Sequence, residues 1–441
     1  MTRHARSQAH RTAASRRVTL AVLAVLVGAA GAGAALAGGL PWTQADEVAQ
    51  NTPEPTTPVR TPTPTPTPSP TTTTPEDAVF TLVAAGDVLL HQPVLAAALT
   101  PEGGYDFTPL LAPLQPWIAG ADLALCHLEV PIAPPGTAPS GYPMFGAPAE
   151  IAAALKANGW DGCSTASNHS LDRGAAGITA TLDALDAAGL GHVGTGRTAE
   201  EAAAPQVYAL NRNQQSIRVA HIAATYGTNG MPIPADAPWS VSLIDTATLI
   251  QQAIAAREAG ADIVVASIHC CVEYVSAPTD RQEQIAAELA ASGVIDLVIG
   301  HHAHVPQPIA ELPGGPRGEG MWVAYGLGNF ISNQSAQCCT AETDSGLLLT
   351  ATFRKPHDGP ATVQSVEWSA VTVDRHGGYR VYPLSADVAA GSGAGEASAA
   401  DLAARYARVA AVVGTAATER PNPTEPTGQP PLRLLRVRSA G

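Results

Sequence analysis

Five short apolar runs in this chain break off at a carboxylate, an amide or an imidazole. The run 79–85 leads into Gly86-Asp87, and 123–128 leads into Glu129. The segment 162–166 leads into Ser167-Asn168-His169, and 262–268 into His269. The run 295–299 leads into Gly300-His301-His302-Ala303-His304. Runs of this length and composition read as buried strands. Helical stretches separate them, at about 151–157, 174–188, 246–259 and 282–292. Beyond 321, strands dominate: 321–325, 347–353, 363–373 and 379–384. Strands alternating with helices, then strands together, predict an α/β layered sandwich of mixed β-sheets flanked by helices. Ligands of open α/β sheets bind along the carboxyl ends of the strands, where all five breaks fall.

One acidic residue at a strand end is ordinarily a turn or cap residue. Three imidazoles in four positions are harder to account for by packing. In an extended backbone His302 and His304 would point to the same side, within reach of one ion or two adjacent ions. Asp87, Glu129, Asn168, His269, His302 and His304 together offer oxygen and nitrogen donors and no sulfur. Such a set suits Zn, Mn or Fe. Two divalent ions bridged by a carboxylate would acidify water enough to attack a phosphorus or carbonyl centre. His169, beside Asn168, is placed to protonate a leaving group. Asp172 reads as the cap of the helix that follows it. His221 lies inside an apolar strand and reads as a core residue.

The rest of the chain narrows the setting. The net charge is −14, and lysine occurs only at 156 and 355. No basic patch of the kind that tracks nucleic acid is present. Arg3, Arg6, Arg11, Arg16 and Arg17 precede an apolar stretch at 18–40 that ends in Ala35-Leu36-Ala37-Gly38. That is an export segment, either cleaved as a signal peptide or kept as an anchor. Residues 41–77 form a Thr/Pro-rich linker whose alternating prolines favour an extended spacer. The organisation read from sequence is therefore an export segment at 1–40, the linker, a globular domain at 78–388, a C-terminal helix at 389–415 and a disordered tail at 416–441.

The motifs Gly86-Asp87, Leu128-Glu129-Val130-Pro131, Ser167–Gly174, His269…Glu273-Tyr274, Gly300–Gln307 and Leu327-Gly328-Asn329-Phe330 occur in this order. In that order they resemble the CapA family of capsule and poly-γ-glutamate synthesis proteins, which is similar in fold to the calcineurin-like metallophosphoesterases. The resemblance covers about 80–332. It implies Asp87, Glu129, Asn168, His269, His302 and His304 as metal ligands and His169 as the catalytic histidine. His91, His127, Glu273, His301 and Asn329 are additional candidates. Two positions depart from the family pattern: His127 replaces an asparagine, and Cys270-Cys271 replaces Trp-Gly. The resemblance implies an exported or cell-surface protein acting on an anionic surface polymer or its precursor, within reach of a membrane synthesis complex. Either it hydrolyses a phosphoester or amide bond with a metal-bound hydroxide, or it binds and guides the polymer without catalysis. The six cysteines of an exported chain predict disulfides. Cys126 with Cys163 is one expected pair, and a cross-link from Cys270/Cys271 to Cys338/Cys339 is another.

Overall fold

The computed structural model describes residues 76–434. The expected export segment, most of the linker and positions 435–441 lie outside the described residues.

Among the described residues, sixteen strands form two mixed sheets. In chain order they are β1 (Ala78–Val88), β2 (Leu123–Leu128), β3 (Gly162–Ser164), β4 (Gly191–Val193), β5 (Gln206–Arg212), β6 (Gln215–Thr225), β7 (Ile263–His269) and β8 (Leu297–His301). There follow β9 (Ile309–Leu312), β10 (Met321–Ala324), β11 (Asn329–Ile331), β12 (Ser345–Lys355), β13 (Thr362–Asp374), β14 (Arg380–Pro383), β15 (Thr418–Glu419) and β16 (Leu432–Leu434). The first sheet runs β14-β13-β12-β1-β2-β3-β4, with β11 on β1 and β15 on β13. The second runs β16-β5-β6-β7-β8-β10-β9. β1 to β4 are parallel, as are β6, β7, β8 and β10, so both sets present their carboxyl ends along one edge.

Strand side chains alternate between two cores. Phe80, Leu82 and Ala84 of β1 pack inward with Val219 of β6, Ile263 and Val265 of β7, and Leu297 and Ile299 of β8. Val83 and Ala85 point outward onto Trp117, Ile151 and Leu155 of the helices covering the first sheet. Val264, Ala266 and Ile268 point outward onto Leu249, Ala253, Ile285 and Leu289 of the helices covering the second. The result is helix, sheet, sheet, helix, with every site strand buried on both faces. Across β1 and β12, Phe80 stacks on Phe353 at 4.9 Å between ring centres. Such a pair adds about 0.5–1.5 kcal/mol beyond the area it buries.

Local chemistry sets the helix ends. Thr279 and Gln282 close a reciprocal capping box on Asp280–Ala291. Asp245 caps Thr246–Glu258, and Gly159 ends Glu150–Asn158 in the left-handed region.

The tail departs from expectation. Within 416–434 the chain pairs with the fold: β15 with β13, and β16 with β5. Thr427 N–H donates to Asp122 Oδ1 at 2.7 Å, and Arg420 pairs with Glu367. Single polar anchors hold the segment, and low apolar content hides them from a compositional reading.

Candidate metal centre

The two sheets are tied together at their carboxyl edge by the segment from Tyr325 to Asn329. Asp87 N–H donates to Gly328 O at 2.9 Å, and Leu327 N–H donates to Gly300 O at 3.1 Å. A side chain at Gly86 would collide with Gly328 O, and one at Gly300 with Tyr325 O. The glycines before Asp87 and His301 are therefore required by this close crossing. It brings the end of β1 against the end of β8.

After β8 the chain does not stay extended. His302 and His304 have φ of 84° and 56°, both left-handed. Residues of this kind in that region cost on the order of 1–3 kcal/mol each, a strain that collects at functional sites. The expectation that an extended backbone aligns His302 with His304 is thus corrected. Two left-handed turns, not strand alternation, send His301, His302 and His304 toward one centre. His302 N–H donates to Asp87 Oδ2 at 3.3 Å, which anchors the first turn.

Four overlapping groups of donors result. Donor atoms of Asp87, His127 and His301 lie within 4.8 Å of one another. The same limit holds for Glu129, His269 and His302, for Asp87, Glu129 and His304, and for Glu273, His302 and His304. Asn168 Oδ1 joins the second group, 2.9 Å from His269 Nε2. All six residues read from the strand ends as ligands lie in this cluster, with His127, His301 and Glu273. His127 does more than fill the family's asparagine position. Its Nδ1 meets Ser164 Oγ at 2.8 Å, its Nε2 meets His269 Nδ1 at 2.9 Å, and its ring stacks on His301 at 4.1 Å.

Two further candidates lie beside the cluster. His91 Nδ1 stands 3.3 Å from Leu89 O and 3.4 Å from Ser332 Oγ, outside the donor groups. Asn329 donates from Nδ2 to His304 O, Gln334 Oε1 and Thr343 O, which fixes the loop carrying His304. His221 is a core residue, 2.9 Å from Ser267 Oγ.

The electrostatics fit a cation. Burial and neighbouring imidazoles hold His127 and His269 well below the usual histidine range. Burial and His304 push His302 down to about 3. Each of these rings is neutral and so keeps one nitrogen lone pair that a cation could take. Burial would lower His304 too, but Glu129 and Asp87 outweigh it and hold the ring up at about 9. Burial drives the Glu129 carboxyl well above its usual range. Asp87 goes the other way: burial opposes its ionisation, but His301 and His304 keep it well below. Both oxygens of Glu129, Oδ1 of Asp87, both ring nitrogens of His301 and Nδ1 of His302 have no hydrogen-bond partner. His304 Nε2 stands 3.7 Å from Glu129 Oε1, too far for a hydrogen bond, and a buried carboxylate without hydrogen bonds costs on the order of several kcal/mol unless a cation offsets it.

Next to the donors, His169 Nδ1 lies 2.7 Å from Asp172 Oδ2, which also accepts from Phe145 N–H at 2.8 Å. Asp172 is therefore not the expected helix cap: the helix Gly174–Ala187 begins at Arg173 with no side-chain cap. The carboxylate turns back to the histidine instead. Phe145 meets the His169 ring edge-on at 4.7 Å.

Two site residues escaped the sequence reading. Tyr226 follows β6, lies 4.6 Å from the His302 ring and is 44% exposed, so it forms part of the mouth. Asn229 Oδ1 accepts from Asn168 Nδ2 at 3.2 Å, and its Nδ2 lies 3.5 Å from His169 Nδ1. Both lie in Tyr226-Gly227-Thr228-Asn229-Gly230, directly after a strand's carboxyl end. The signal applied to the other strands points to them as well.

The cysteines pair as Cys126–Cys163, Cys270–Cys271 and Cys338–Cys339. The expected link between the last two pairs is not formed, because each adjacent pair closes on itself.

The model of the family described as bacterial capsule synthesis protein PGA_cap matches residues 81–334. The chain belongs to this family. It is 30% identical over 202 residues to the capsule biosynthesis protein CapA of Bacillus anthracis, covering 45% of this chain and 46% of that one. It is 30% identical over 194 residues to the PGA biosynthesis protein CapA of Bacillus subtilis, covering 42% and 45%. The chain thus spans about half the length of these relatives. Among solved structures it is similar to the NAD nucleotidase NadN of Haemophilus influenzae, with a TM-score of 0.42 and 12% identity over 79% of this chain and 65% of that one. For the calcineurin-like phosphoesterase YfkN of Bacillus subtilis the TM-score is 0.38, with 14% identity over 67% and 91%. No helix among the described residues is long and apolar enough to cross a membrane.

Proposed function

We propose that this PGA_cap protein is an exported hydrolase that holds two divalent cations and cleaves a phosphoester or amide bond in a cell-surface polymer or its precursor. The observation that carries the reading is the set of buried donors without partners, Glu129 above all. Asp87, His127 and His301 would hold one cation, and Glu129, Asn168, His269 and His302 the other, with His304 between the two carboxylates. Cations bound there supply Lewis acidity and make water acidic enough to attack at neutral pH. Asp87 and Glu129 would hold the cations and offset their charge. His169, held through Nδ1 by Asp172, would in its doubly protonated form offer Nε2–H as the proton donor to the leaving group. Tyr226 walls the mouth, and Phe145 packs edge-on against the His169 ring beneath it.

The polymer context follows from the family, whose two Bacillus relatives are described as capsule and PGA biosynthesis proteins. The same context supports a surface location. Elemental analysis of the purified chain, with turnover assays on a phosphodiester and on γ-glutamyl amides, tests the reading. Near-stoichiometric Mn, Zn or Fe with turnover of either bond class is expected. Metal without turnover would favour a non-catalytic polymer-binding component; no metal would sink the proposal.

A further inference from the structure

After β6 the chain folds back over the metal centre through the loop that begins at Tyr226. Tyr226 N–H donates to His269 O at 3.0 Å, and Thr228 Oγ1 donates to Met231 O at 2.6 Å, so both ends of the loop are tied. At its tip Asn229 is exposed and left-handed, with φ of 52°. Asparagine tolerates that region better than most side chains.

An exposed tip residue has no packing reason to face inward, yet both contacts of the Asn229 side chain are with the site. Asn168 Nδ2 donates to Asn229 Oδ1 at 3.2 Å, and Asn229 Nδ2 stands 3.5 Å from His169 Nδ1. The first contact matters most. An amide offers a cation only its oxygen, and its two ends are nearly equal in shape. A partner that accepts from Nδ2 selects the orientation in which Oδ1 faces inward. Asn168 Oδ1 does face inward, 2.9 Å from His269 Nε2.

The geometry points to Asn229 as a positioning residue that locks the Asn168 amide with its oxygen toward the metal centre. This rests on the reading of the cluster as a metal centre. Outer partners of this kind change metal affinity by about 10–100-fold when removed.

The test uses the full chain and variants N229A, N229G and N229D, titrated with Mn(II) and Zn(II) against a chromophoric chelator. N229A and N229G should bind about 10–100-fold more weakly, with apo melting temperatures unchanged. N229G keeps the left-handed backbone accessible, so it separates loop shape from the amide's grip. N229D retains an oxygen that accepts from Asn168 Nδ2, and its affinity should stay close to that of the unaltered chain. Unchanged affinity in N229A, recovery in N229G, or a loss in N229D equal to that in N229A would each overturn the role. If the unaltered chain binds neither ion, the metal-centre reading itself fails. If it binds and N229A binds equally, only the positioning role fails.

Discussion

His169 Nδ1 and Asp172 Oδ2 stand 2.7 Å apart, three residues apart in sequence and both almost fully buried. The carboxylate fixes which ring nitrogen carries the proton and leaves Nε2 toward the cluster. Replacing His169 with alanine should lower kcat by about 10²–10⁴-fold, the range for a positioned proton donor. D172N should lower kcat in the same direction and leave bound metal unchanged. Steady-state kinetics beside elemental analysis checks both. Loss of metal in H169A would make the ring a ligand rather than a donor.

The strand-end pattern placed Asp87, Glu129, Asn168, His269, His302 and His304 in one cluster because parallel strands must present their carboxyl ends together. What it could not show was backbone geometry. His302 and His304 reach the centre through left-handed turns that no periodicity reveals. Asp172 looked like a cap because it precedes a helix, and only the fold shows Phe145 and His169 competing for it. Short strands such as β4 and β11, at three residues each, carry too few apolar positions to register. The layered fold was legible for the opposite reason: its main strands are long and buried on both faces.

Proton and metal compete for His304. Its folded-state value of about 9 lies above the ordinary 6.5. Without metal, the stability it contributes is fully present below about pH 6.5 and is lost as pH rises through about 9. A cation must displace that proton, so metal affinity should rise over the same interval. Calorimetry in buffers of different ionisation enthalpy should show proton release on binding near pH 7.5. H304Q should release fewer protons; equal release would rule out His304 as the source.

Cys126 and Cys163 are opposite residues on the neighbouring strands β2 and β3, with Cα atoms 4.3 Å apart. Closing a loop of this size should stabilise the chain by about 2–4 kcal/mol. Peptide mapping without reduction should recover this pair linked. A link from Cys270 or Cys271 to Cys338 or Cys339 would contradict the arrangement. Reduction should lower the melting temperature, and C126A should reproduce most of that loss, because the other two pairs join adjacent residues and close almost no loop.

The C-terminal segment should be needed for stability, because it completes a buried ion pair far from the metal centre. Asp122 and Arg212 lie 2.8 Å apart, with side chains 0% and 3% exposed. Asp122 also accepts from Thr81 N–H at 2.8 Å and from Thr427 N–H at 2.7 Å. Arg212 Nε donates to Thr427 Oγ1 at 2.7 Å, and a side chain at Gly428 would press on the guanidinium. Two buried charges are tolerable only when their remaining hydrogen-bonding positions are filled, and the tail fills them. R212A leaves the carboxylate without its cation and should cost about 3–5 kcal/mol. T427A removes the hydroxyl but keeps the backbone N–H, and should cost about 1 kcal/mol. A chain ending at position 419 loses Thr427 and β16 together and should fall between T427A and R212A or beyond. Denaturant unfolding of the three variants checks the order. A truncated chain as stable as the full one would show that the tail rests on the fold without supporting it.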